Sequence, residues 1–371
     1  MRFRPSYSIL FVLFLLGCSS DEEATSDSSI SDELQAVVDS KVGEDLLRGV
    51  SVAIRIDGQL RWQITGGDVI SHKEKFGVGS VTKTVVAATT MKLVDQGLLT
   101  LDQSIEDILG YEIDHVNGLI KVSELLSHFT GLDGYMYPEL WERAESNLGQ
   151  AISLVDLTEY IGPPINGRGL EHQYSNSNYL LLGLIIEKVT GQTVGAVMRN
   201  EFWKPLGLSD IYFGTNEEIP EPIATPWRDN DGDGVLENIK DDFGAAFHSI
   251  FYCAADVFST ASDLALWAEH LYGGNAISES SRRYMMDTYV NIPDPTFIGY
   301  GYGTRKNVYA GHTMWGHTGG MRGYGSHMFY DPVRRVSIAS LNNQSRSSDG
   351  PRLRHELVEE LLAVVYRTFE E

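Results

Sequence analysis

Hydrophobic positions recur with two different periods along this chain, and each period predicts a different kind of element. Apolar residues return at helical spacing over residues 31–47, so this segment is predicted to form an amphipathic helix. Residues 49–57 and 60–66 alternate between apolar and polar on either side of Asp57-Gly58. This alternation is typical of two strands joined by a tight turn. Helix and strand therefore follow each other within the first folded segment.

The C-terminal part of the chain shows the strand pattern again and then a helical one. Its alternation predicts neighbouring strands, and the amphipathic run 352–369 predicts a helix that packs on the resulting sheet. Residues 98–250 are mixed, with several helical segments and long loops. The strands predicted in the C-terminal part are 299–303, 312–318, 324–330 and 335–341.

Ser80 and Lys83 lie one helical turn apart at the start of an apolar helix that is predicted to end near Gly97. Side chains at i and i+3 share a helix face, so the hydroxyl and the amine can meet. A lysine in a partly dry pocket can lose its proton and then take the proton of a serine, which makes that serine a nucleophile. The alternative is an ordinary exposed pair, because S-x-x-K recurs by chance in long chains.

Tyr174 and Asn176 lie in a polar loop that leads into the strongly apolar run 180–187. A tyrosine at such a place can carry protons between a nucleophile and a leaving group. An asparagine offers both a donor and an acceptor to a substrate amide. The alternative is a turn with a packed tyrosine.

A glycine-rich segment late in the chain, His317-Thr318-Gly319-Gly320, predicts a strand that a substrate backbone can approach closely. The main-chain N–H of Gly320, together with that of Ser80, is a candidate donor to an oxyanion. The alternative for the histidine is a hydrogen-bonded side chain at a sheet edge.

In this order, the motifs S-x-x-K, Y-x-N and H-x-G resemble those of the serine β-lactamase and penicillin-binding-protein-like hydrolases. The similar branch is the class C-like one, which includes D-alanyl-D-alanine carboxypeptidases and esterases. The resemblance implies an α/β (α+β) fold, in which an antiparallel sheet is flanked by helices and a helix-rich lobe is inserted over roughly residues 98–250. Further segments that are similar to landmarks of this family are 49–53, 125–132, 203–208 and 259–265.

The resemblance implies a serine hydrolase that acts through an acyl-serine intermediate on a small-molecule, peptide or ester substrate, with no cofactor for catalysis. Ser80 would be the nucleophile, and Lys83 and Tyr174 would move protons. Asn176 and residues 317–320 would hold the substrate. Histidine in the third motif, where β-lactamases of this branch usually carry lysine, favours a carboxypeptidase or an esterase, with a β-lactamase third.

The sequence leaves open the roles of several other basic residues and the possibility of a non-enzymatic protein. Arg305 precedes the third motif and could bind a substrate carboxylate, as basic residues do in some peptidases of the family, although an ordinary exposed arginine is the simpler interpretation. His128, His172 and His312 are interpreted as structural. The alternative to an enzyme is a non-catalytic cell-wall-binding protein of the same fold.

The N-terminus carries the features of a bacterial export signal. An apolar run over 9–16 is too short to span a membrane and fits a signal peptide over 1–17. The residues around Cys18 resemble a bacterial lipobox, which implies lipidation of Cys18 and anchoring at the outer membrane, facing the periplasm of the bacterial cell envelope. An ordinary secreted protein is the alternative. The acidic residues 18–32 predict a flexible tether ahead of one hydrolase domain over 33–371.

Charge and cysteine content exclude one class of partner and one kind of bond. The formal net charge of −22 would repel nucleic acid, so a nucleic-acid partner is excluded. With Cys18 lipidated, Cys253 is the only other cysteine, so no intrachain disulfide is expected. Its apolar neighbours predict that Cys253 is a buried structural residue.

Asp229, Asp231 and Asp233 alternate in a loop with the D-x-D-x-D-G spacing of calcium sites. The twelfth position is Lys240 and not the bidentate glutamate of an EF-hand, although Glu237 or another nearby carboxylate could replace it. We therefore expect either a structural Ca²⁺ ion with no part in catalysis or a solvated acidic turn.

Overall fold

The computed structural model describes residues 20–43, 46–287, 290–292, 297–345 and 350–369, with side chains from residue 28 onward. The predicted signal peptide over 1–17 and the predicted lipidation site Cys18 lie outside the described residues.

An antiparallel sheet of eight strands forms the centre of the described structure. The strands, in chain order, are β1 Gly49–Ile56, β2 Gln59–Gly67, β3 Phe76–Gly77, β4 Ile211–Phe213, β5 Trp227–Arg228, β6 Glu237–Asn238, β7 Val257–Ser259, β8 Val290–Asn291, β9 Phe297–Tyr300, β10 Arg305–Tyr309, β11 His312–Met321, β12 Tyr324–Asp331, β13 Val336–Asn342 and β14 Gln344–Ser345. The order in the large sheet is β2-β1-β13-β12-β11-β10-β9-β8, and the small sheets are β14-β5-β6 and β3-β7-β4.

Helices cover both faces of the large sheet, and most of them fall between residues 105 and 255. The helices are α1 Ser20–Asp39, α2 Thr82–Asp95, α3 Ile105–Leu109, α4 Val122–Ser127, α5 Pro138–Ser146, α6 Leu154–Thr158, α7 Asn176–Thr190, α8 Val194–Met198, α9 Lys204–Leu206, α10 Ala245–Ala255, α11 Ala261–Ala268, α12 Glu279–Asp287 and α13 Gly350–Arg367. Within the described residues no single helix combines the length and apolarity needed to cross a membrane, and one bent pair, α7 with Val194–Leu206, meets that test only together.

Alternation of side chains across the sheet separates two layers of core. Ala53 and Leu341 face a core formed with α2, α7, α10 and α11, whereas Ile54 and Ile338 face a second core formed with α1 and α13. Successive side chains of a strand point to opposite faces, so one strand serves both layers. Each fully buried aliphatic side chain contributes about 1.5–3 kcal/mol. The two cores therefore hold the sheet as a rigid base for the site.

One part of β11 keeps an unpaired edge. Strand β10 pairs with β11 only as far as the match of Arg305 with Gly316. On the other side, β12 continues along β11 to the match of Met321 with Tyr324. The edge of residues 317–321 that faces away from β12 is therefore free of strand pairing within the described residues, and this edge faces the start of α2.

The predicted strands 312–318, 324–330 and 335–341 match β11, β12 and β13, and the predicted C-terminal helix matches α13. The predicted strand 299–303 is displaced, because β9 covers Phe297–Tyr300 and overlaps it only at residues 299 and 300. The short strand β10 was not predicted, because its five residues carry too little alternation to be recognised. The predicted tether over 18–32 is helical from Ser20 onward, since α1 covers Ser20–Asp39. Leu34 and Val38 of this helix bury against the sheet, and the helix begins earlier and ends earlier than the predicted span 31–47.

Candidate active site

Ser80 lies in a single 3₁₀ turn, Gly79–Val81, that leads directly into α2. Gly79 has a φ of 55°, in the left-handed region. A Cβ at this position would lie 2.7 Å from both the main-chain N and the main-chain O of Gly320. Glycine therefore allows the backbone before Ser80 to lie directly against β11. The main chains of Ser80 and Gly320 meet at this point, beside the free edge of β11.

Lys83 is fully buried, and its amine has three polar neighbours. Its Nζ lies 3.2 Å from the Oγ of Ser80. It also lies 2.8 Å from Oδ1 of Asn176 and 2.7 Å from the main-chain O of Ala254. These two oxygens only accept hydrogen bonds, so a neutral amine would give them its two hydrogens. Its lone pair would then face the hydroxyl of Ser80, which is what a general base requires.

Burial lowers the pKa of Lys83 from its ordinary value of 10.5, because the interior disfavours the charged ammonium. Tyr174 opposes this shift, and the guanidinium of Arg305 adds to it. The pKa shift and the hydrogen-bond geometry point in the same direction, toward a neutral amine beside Ser80.

The position of Lys83 depends on the end of α10. Ala254 lies next to the last residue of that helix, so its carbonyl has no partner within the helix and can accept from Lys83. Two residues earlier, Tyr252 leaves the helical conformation with φ 34° and ψ −135°. Such a backbone costs about 1–3 kcal/mol and persists only when its surroundings hold it. A Cβ at Gly183 of α7 would lie 2.3 Å from the Tyr252 ring, so glycine gives this bend its room.

Tyr174 lies close to the same amine. The Nζ of Lys83 is 5.0 Å from the centroid of the Tyr174 ring. The hydroxyl of Tyr174 is buried and has no hydrogen-bond partner among the described residues. A buried unpaired hydroxyl costs about 1–3 kcal/mol. It is therefore ready to bond a group that enters the site.

The third motif contributes through its backbone and through Thr318 more than through His317. The His317 ring is fully buried and does not line the cleft; its Nδ1 lies 2.5 Å from the main-chain O of Thr318, and its Nε2 lies 3.1 Å from the hydroxyl of Tyr300. Burial lowers the pKa of His317 well below 6.5, with Arg305 and Lys83 adding to the shift. The substrate contact predicted for this side chain does not fit its burial, since neighbouring side chains of a strand point to opposite faces.

Gly319 and Gly320 have different roles in the structure. A Cβ at Gly319 would lie 2.0 Å from the main-chain O of Val78, so this glycine permits the close packing of β11 on the turn before Ser80. Gly320 is exposed and lines the cleft. The main-chain groups of Gly320 are thus accessible to a substrate, whereas Gly319 serves the packing.

Ser80 opens into a cleft of about 380 Å³ that is rich in basic side chains. Arg305 donates to the Oγ1 of Thr318 across 2.8 Å, and its Nε is buried without a partner among the described residues. Arg354 of α13 reaches the same cleft, and its Nε is also unpaired there. The cleft is lined by Ser80, Tyr174, Phe297, Arg305, Asn307, Tyr309, Thr318, Gly319, Gly320, His327, Pro351, Arg354 and His355.

A second cleft of about 410 Å³ continues past Gly320 and is largely apolar. Trp141 and Phe251 form its aromatic wall, with ring centroids 5.5 Å apart. Gly320 and Arg354 line both clefts, so the two form one groove across the free edge of β11. The lining residues are Met136, Trp141, Arg228, Phe251, Gly320, Met321, Arg322, Tyr324, Ser345, Gly350, Pro351 and Arg354.

Comparison with known proteins assigns this arrangement to a family. The sequence profile of the family described as Beta-lactamase matches residues 34–363. The chain belongs to the β-lactamase family.

The chain is similar in sequence to a carboxypeptidase-like protein and to an esterase. The chain is 28% identical over 292 residues to the "Putative D-alanyl-D-alanine carboxypeptidase" of Escherichia coli O157:H7, which covers 69% of this chain and 65% of that relative. It is 25% identical over 368 residues to esterase EstB of Burkholderia gladioli, with 85% and 91% of the two chains covered. The chain spans 62% to 65% of the length of several curated relatives that it matches.

The fold has solved counterparts. The D-amino acid amidase from Ochrobactrum anthropi SV3 superposes with a TM-score of 0.79 at 22% identity, and the match covers 92% of this chain and 99% of that one. At this identity the likeness establishes the fold. The α/β architecture with an antiparallel sheet, which the sequence motifs implied, is thereby confirmed.

Some residues of the site carried no recognisable signal in the sequence. Arg354 lies in the first turns of α13, where its spacing is that of an ordinary helix residue. Tyr300 is the last residue of β9, and its sequence context predicts only a buried tyrosine of the core. The carbonyl of Ala254 is a main-chain group, which no side-chain motif can indicate. Only the tertiary structure brings these three to the site.

Away from the cleft, two further predictions meet the structure. Carboxylate oxygens of Asp229, Asp231 and Asp233 lie within 4.8 Å of one another. The loop also has internal hydrogen bonds, because the carboxylate of Asp229 accepts from the N–H groups of Gly232 and Gly234. The calcium ion therefore stays a prediction. Cys253 is buried, as its sequence context indicated, and burial raises the pKa of its thiol.

Proposed function

We propose that this chain is a serine hydrolase that works through an acyl-serine intermediate, with a D-alanyl-D-alanine carboxypeptidase-like substrate preference. The observation that carries the proposal is the buried amine of Lys83, 3.2 Å from the Oγ of Ser80 and with its two other contacts made to acceptors. A packing role for Lys83 would not require a hydroxyl at this distance in a partly open cleft.

Acylation follows from these contacts. The Oγ of Ser80 forms a bond to the substrate carbonyl carbon while its proton passes to the neutral Nζ of Lys83. The negative oxygen that results lies between the N–H groups of Ser80 and Gly320, whose backbones meet at Gly79. The bond to the leaving group then breaks, and the leaving nitrogen or oxygen takes a proton from the unpaired hydroxyl of Tyr174. The proton on Lys83 restores that of Tyr174.

Deacylation uses the same groups in the reverse sense. A water molecule enters where the leaving group was, and its proton passes to the neutral amine of Lys83 as the water oxygen bonds to the acyl carbon. The hydroxyl of Tyr174 relays this proton by taking one from the water and giving its own to Lys83. The ester bond to Ser80 then breaks, and the serine oxygen recovers its proton. Asn176 has its Oδ1 on Lys83, so its amide nitrogen is the part that can face the substrate.

The leaving group would lie toward Arg305 and Thr318. Arg305 forms no ion pair within the described residues, and it stands in a cleft of a chain with a net charge of −22. A guanidinium is suited to a planar carboxylate. The free C-terminal carboxylate of a peptide fits this end of the groove, and the acyl part of the substrate would extend past Gly320 along the apolar wall of Trp141.

An esterase is the second candidate. The match with esterase EstB covers 91% of that relative, and the Ser80–Lys83 pair does not distinguish an ester carbonyl from an amide carbonyl. The discriminating feature is Arg305, whose guanidinium has no carboxylate to bind on a neutral ester. A β-lactamase remains third, because His317 replaces the expected lysine and is buried behind the cleft.

Export and lipidation at Cys18 are proposed from the sequence alone, as is location at the outer membrane, facing the periplasm. Radiolabelled palmitate incorporated into the wild-type protein in a bacterial host, and not into Cys18→Ser, would support this proposal. Equal label in both proteins would contradict it.

Labelling and hydrolysis together test the enzymatic proposal. A fluorescent fluorophosphonate or penicillin should label the wild-type protein and leave Ser80→Ala unlabelled, with equal thermal melting of the two. A hydrolysis panel of a D-Ala-D-Ala peptide, nitrocefin and p-nitrophenyl esters then ranks the substrates. Labelling of neither protein would favour the non-catalytic binding protein, and turnover of esters alone would favour the esterase.

A further inference from the structure

A buried chain of hydrogen bonds joins the second motif to the third behind the cleft. His128 Nδ1 lies 3.2 Å from the main-chain N of Ser175, next to Tyr174. His128 Nε2 lies 3.3 Å from the hydroxyl of Tyr300, which lies 3.1 Å from His317 Nε2. The Nδ1 of His317 then lies 2.5 Å from the main-chain O of Thr318.

The main-chain groups at the two ends of this hydrogen-bond series determine which atom donates in each bond. The N–H of Ser175 can only donate, so Nδ1 of His128 accepts and its proton is on Nε2. The carbonyl of Thr318 can only accept, so His317 carries its proton on Nδ1 and accepts at Nε2. The hydroxyl of Tyr300 therefore accepts from one histidine and donates to the other.

A side-chain contact supports the same direction at His128. Asn178 Nδ2 lies 2.8 Å from His128 Nδ1. The orientation of this amide is set at its other end, because Asn178 Oδ1 accepts from the hydroxyl of Thr130 across 2.6 Å. Two donors thus converge on one ring nitrogen, which leaves no room for a proton there.

We propose that Tyr300 is a positioning residue, which holds His128 and His317 as neutral imidazoles of opposite tautomer and so fixes the Tyr174 loop relative to the Thr318–Gly320 edge. The proposal depends on the proposed acyl-serine chemistry only where its test measures an acylation rate. Its structural content is the direction of the hydrogen bonds among the side chains of His128, Tyr300 and His317, all of which are buried.

Charged and titratable groups from several elements face this chain. Lys83 of α2 and Arg305 of β10 disfavour a positive charge on either imidazole, and His172 also lowers the pKa of His128. The rings of Tyr174 and Tyr179 lie 4.4 Å and 5.2 Å from that of His128, measured between centroids. Lys83 and Arg305 therefore both act against protonation of the two imidazoles, in agreement with two neutral rings.

The first test measures the tautomers of the wild-type protein by ¹⁵N–¹H correlation of the histidine rings at neutral pH. We expect the Nε2–H form for His128 and the Nδ1–H form for His317. The opposite tautomer at either ring, or an imidazolium at either, would overturn the proposal. This measurement needs no turnover, so it is independent of whether Ser80 is acylated.

The second test is Tyr300→Phe, which removes one hydroxyl and keeps the ring. We expect the acylation rate of Ser80 to fall by about 10- to 100-fold, as for small displacements of catalytic groups. We also expect His317 to be protonated at a higher pH than in the wild type, measured by ¹⁵N–¹H correlation, because its Nε2 loses the donor that opposed its protonation.

Tyr366→Phe is the matched control. Tyr366 lies near the end of α13, and its buried hydroxyl donates to the carboxylate of Asp331, away from the site. It should leave the acylation rate, and the pH at which His317 is protonated, as in the wild type. A Tyr300→Phe protein with the wild-type acylation rate, or with wild-type protonation of His317, would refute the positioning role. If this variant does not fold, the tautomers of the wild type still decide.

Discussion

Lys83 donates to the main-chain O of Ala254 across 2.7 Å, so the candidate base is held by the end of a different helix from its own. The Nζ of Lys83 is in this way directed at the Oγ of Ser80 by a backbone group that cannot rotate away. The bend at Tyr252 precedes that carbonyl and depends on Gly183 for its space. The geometry of the nucleophile and base is therefore a property of the packing of α2, α7 and α10.

Lys83→Arg tests the need for a removable proton. Arginine keeps the charge but cannot lose a proton in a protein, so we expect the acylation rate to fall by about 10²- to 10⁴-fold. The rate of covalent labelling by a fluorescent penicillin or fluorophosphonate measures it. Lys92→Arg, near the other end of the same helix, is the control and should label at the wild-type rate. Near wild-type labelling of Lys83→Arg would exclude Lys83 as the base.

The pH dependence of acylation should follow from the lowered pKa of Lys83. Acylation needs the neutral amine, so its rate should rise with pH and reach its plateau below the ordinary lysine pKa of 10.5. Burial of the amine is the largest cause of this shift. Rates of covalent labelling between pH 5 and 10 would check this, and a limb that stays at the ordinary lysine value would contradict it.

Folding stability should fall on acidification because buried histidines are held neutral. Burial lowers the pKa of His128, His317 and His327 well below 6.5. The unfolded chain binds these protons first, so the stabilisation is complete above about pH 6.5 and is lost as the pH falls below that value. Each histidine costs up to about 1.4 kcal/mol per pH unit in that range. Urea unfolding at pH 7.5 and 5.5 measures the difference, and equal stability at both would be inconsistent with it.

Gly79→Ala should reduce activity far more than a conformationally similar substitution elsewhere. Both Gly79 and Gly97 have positive φ, at 55° and 70°, so alanine at either costs about 1–2 kcal/mol. A Cβ at Gly97 meets nothing within 4 Å, whereas one at Gly79 meets the backbone of Gly320. We expect Gly79→Ala to lower acylation about 100-fold by moving apart the two N–H donors, with Gly97→Ala unaffected. Equal activity of the two variants would argue against an oxyanion site here.

Arg305→Gln separates the two candidate substrate classes. Loss of a charged hydrogen bond should lower kcat/KM for a peptide with a free C-terminal carboxylate by about 10- to 100-fold, mainly through KM. The rate with a neutral p-nitrophenyl ester should change little. Steady-state kinetics on both substrates measure this, with the exposed Arg335, which pairs with Asp57, changed to Gln as control. An equal loss on both substrates would assign Arg305 a structural role.

Most of the fold and the three motifs could be predicted from the sequence, because both depend on the spacing of residues within short segments. Period-two alternation located β1, β2, β11, β12 and β13, and glycine marked the turn before Ser80. The signal was absent where a residue acts only through distant contacts. Tyr300 and Arg354 sit in a strand and a helix with no local irregularity, and His317 matched a motif but points away from the cleft.

The sequence by itself determined the family, the alternation of the sheet and the pairing of Ser80 with Lys83, since these depend on spacing along one chain. The tertiary structure alone decided that the amine meets Asn176 and the Ala254 carbonyl, and that the ring of His317 is buried away from the cleft. The reason is physical. Spacing fixes which side chains share a helix turn or a strand face, whereas the pKa of an amine and the direction of an imidazole depend on what other segments bring against them.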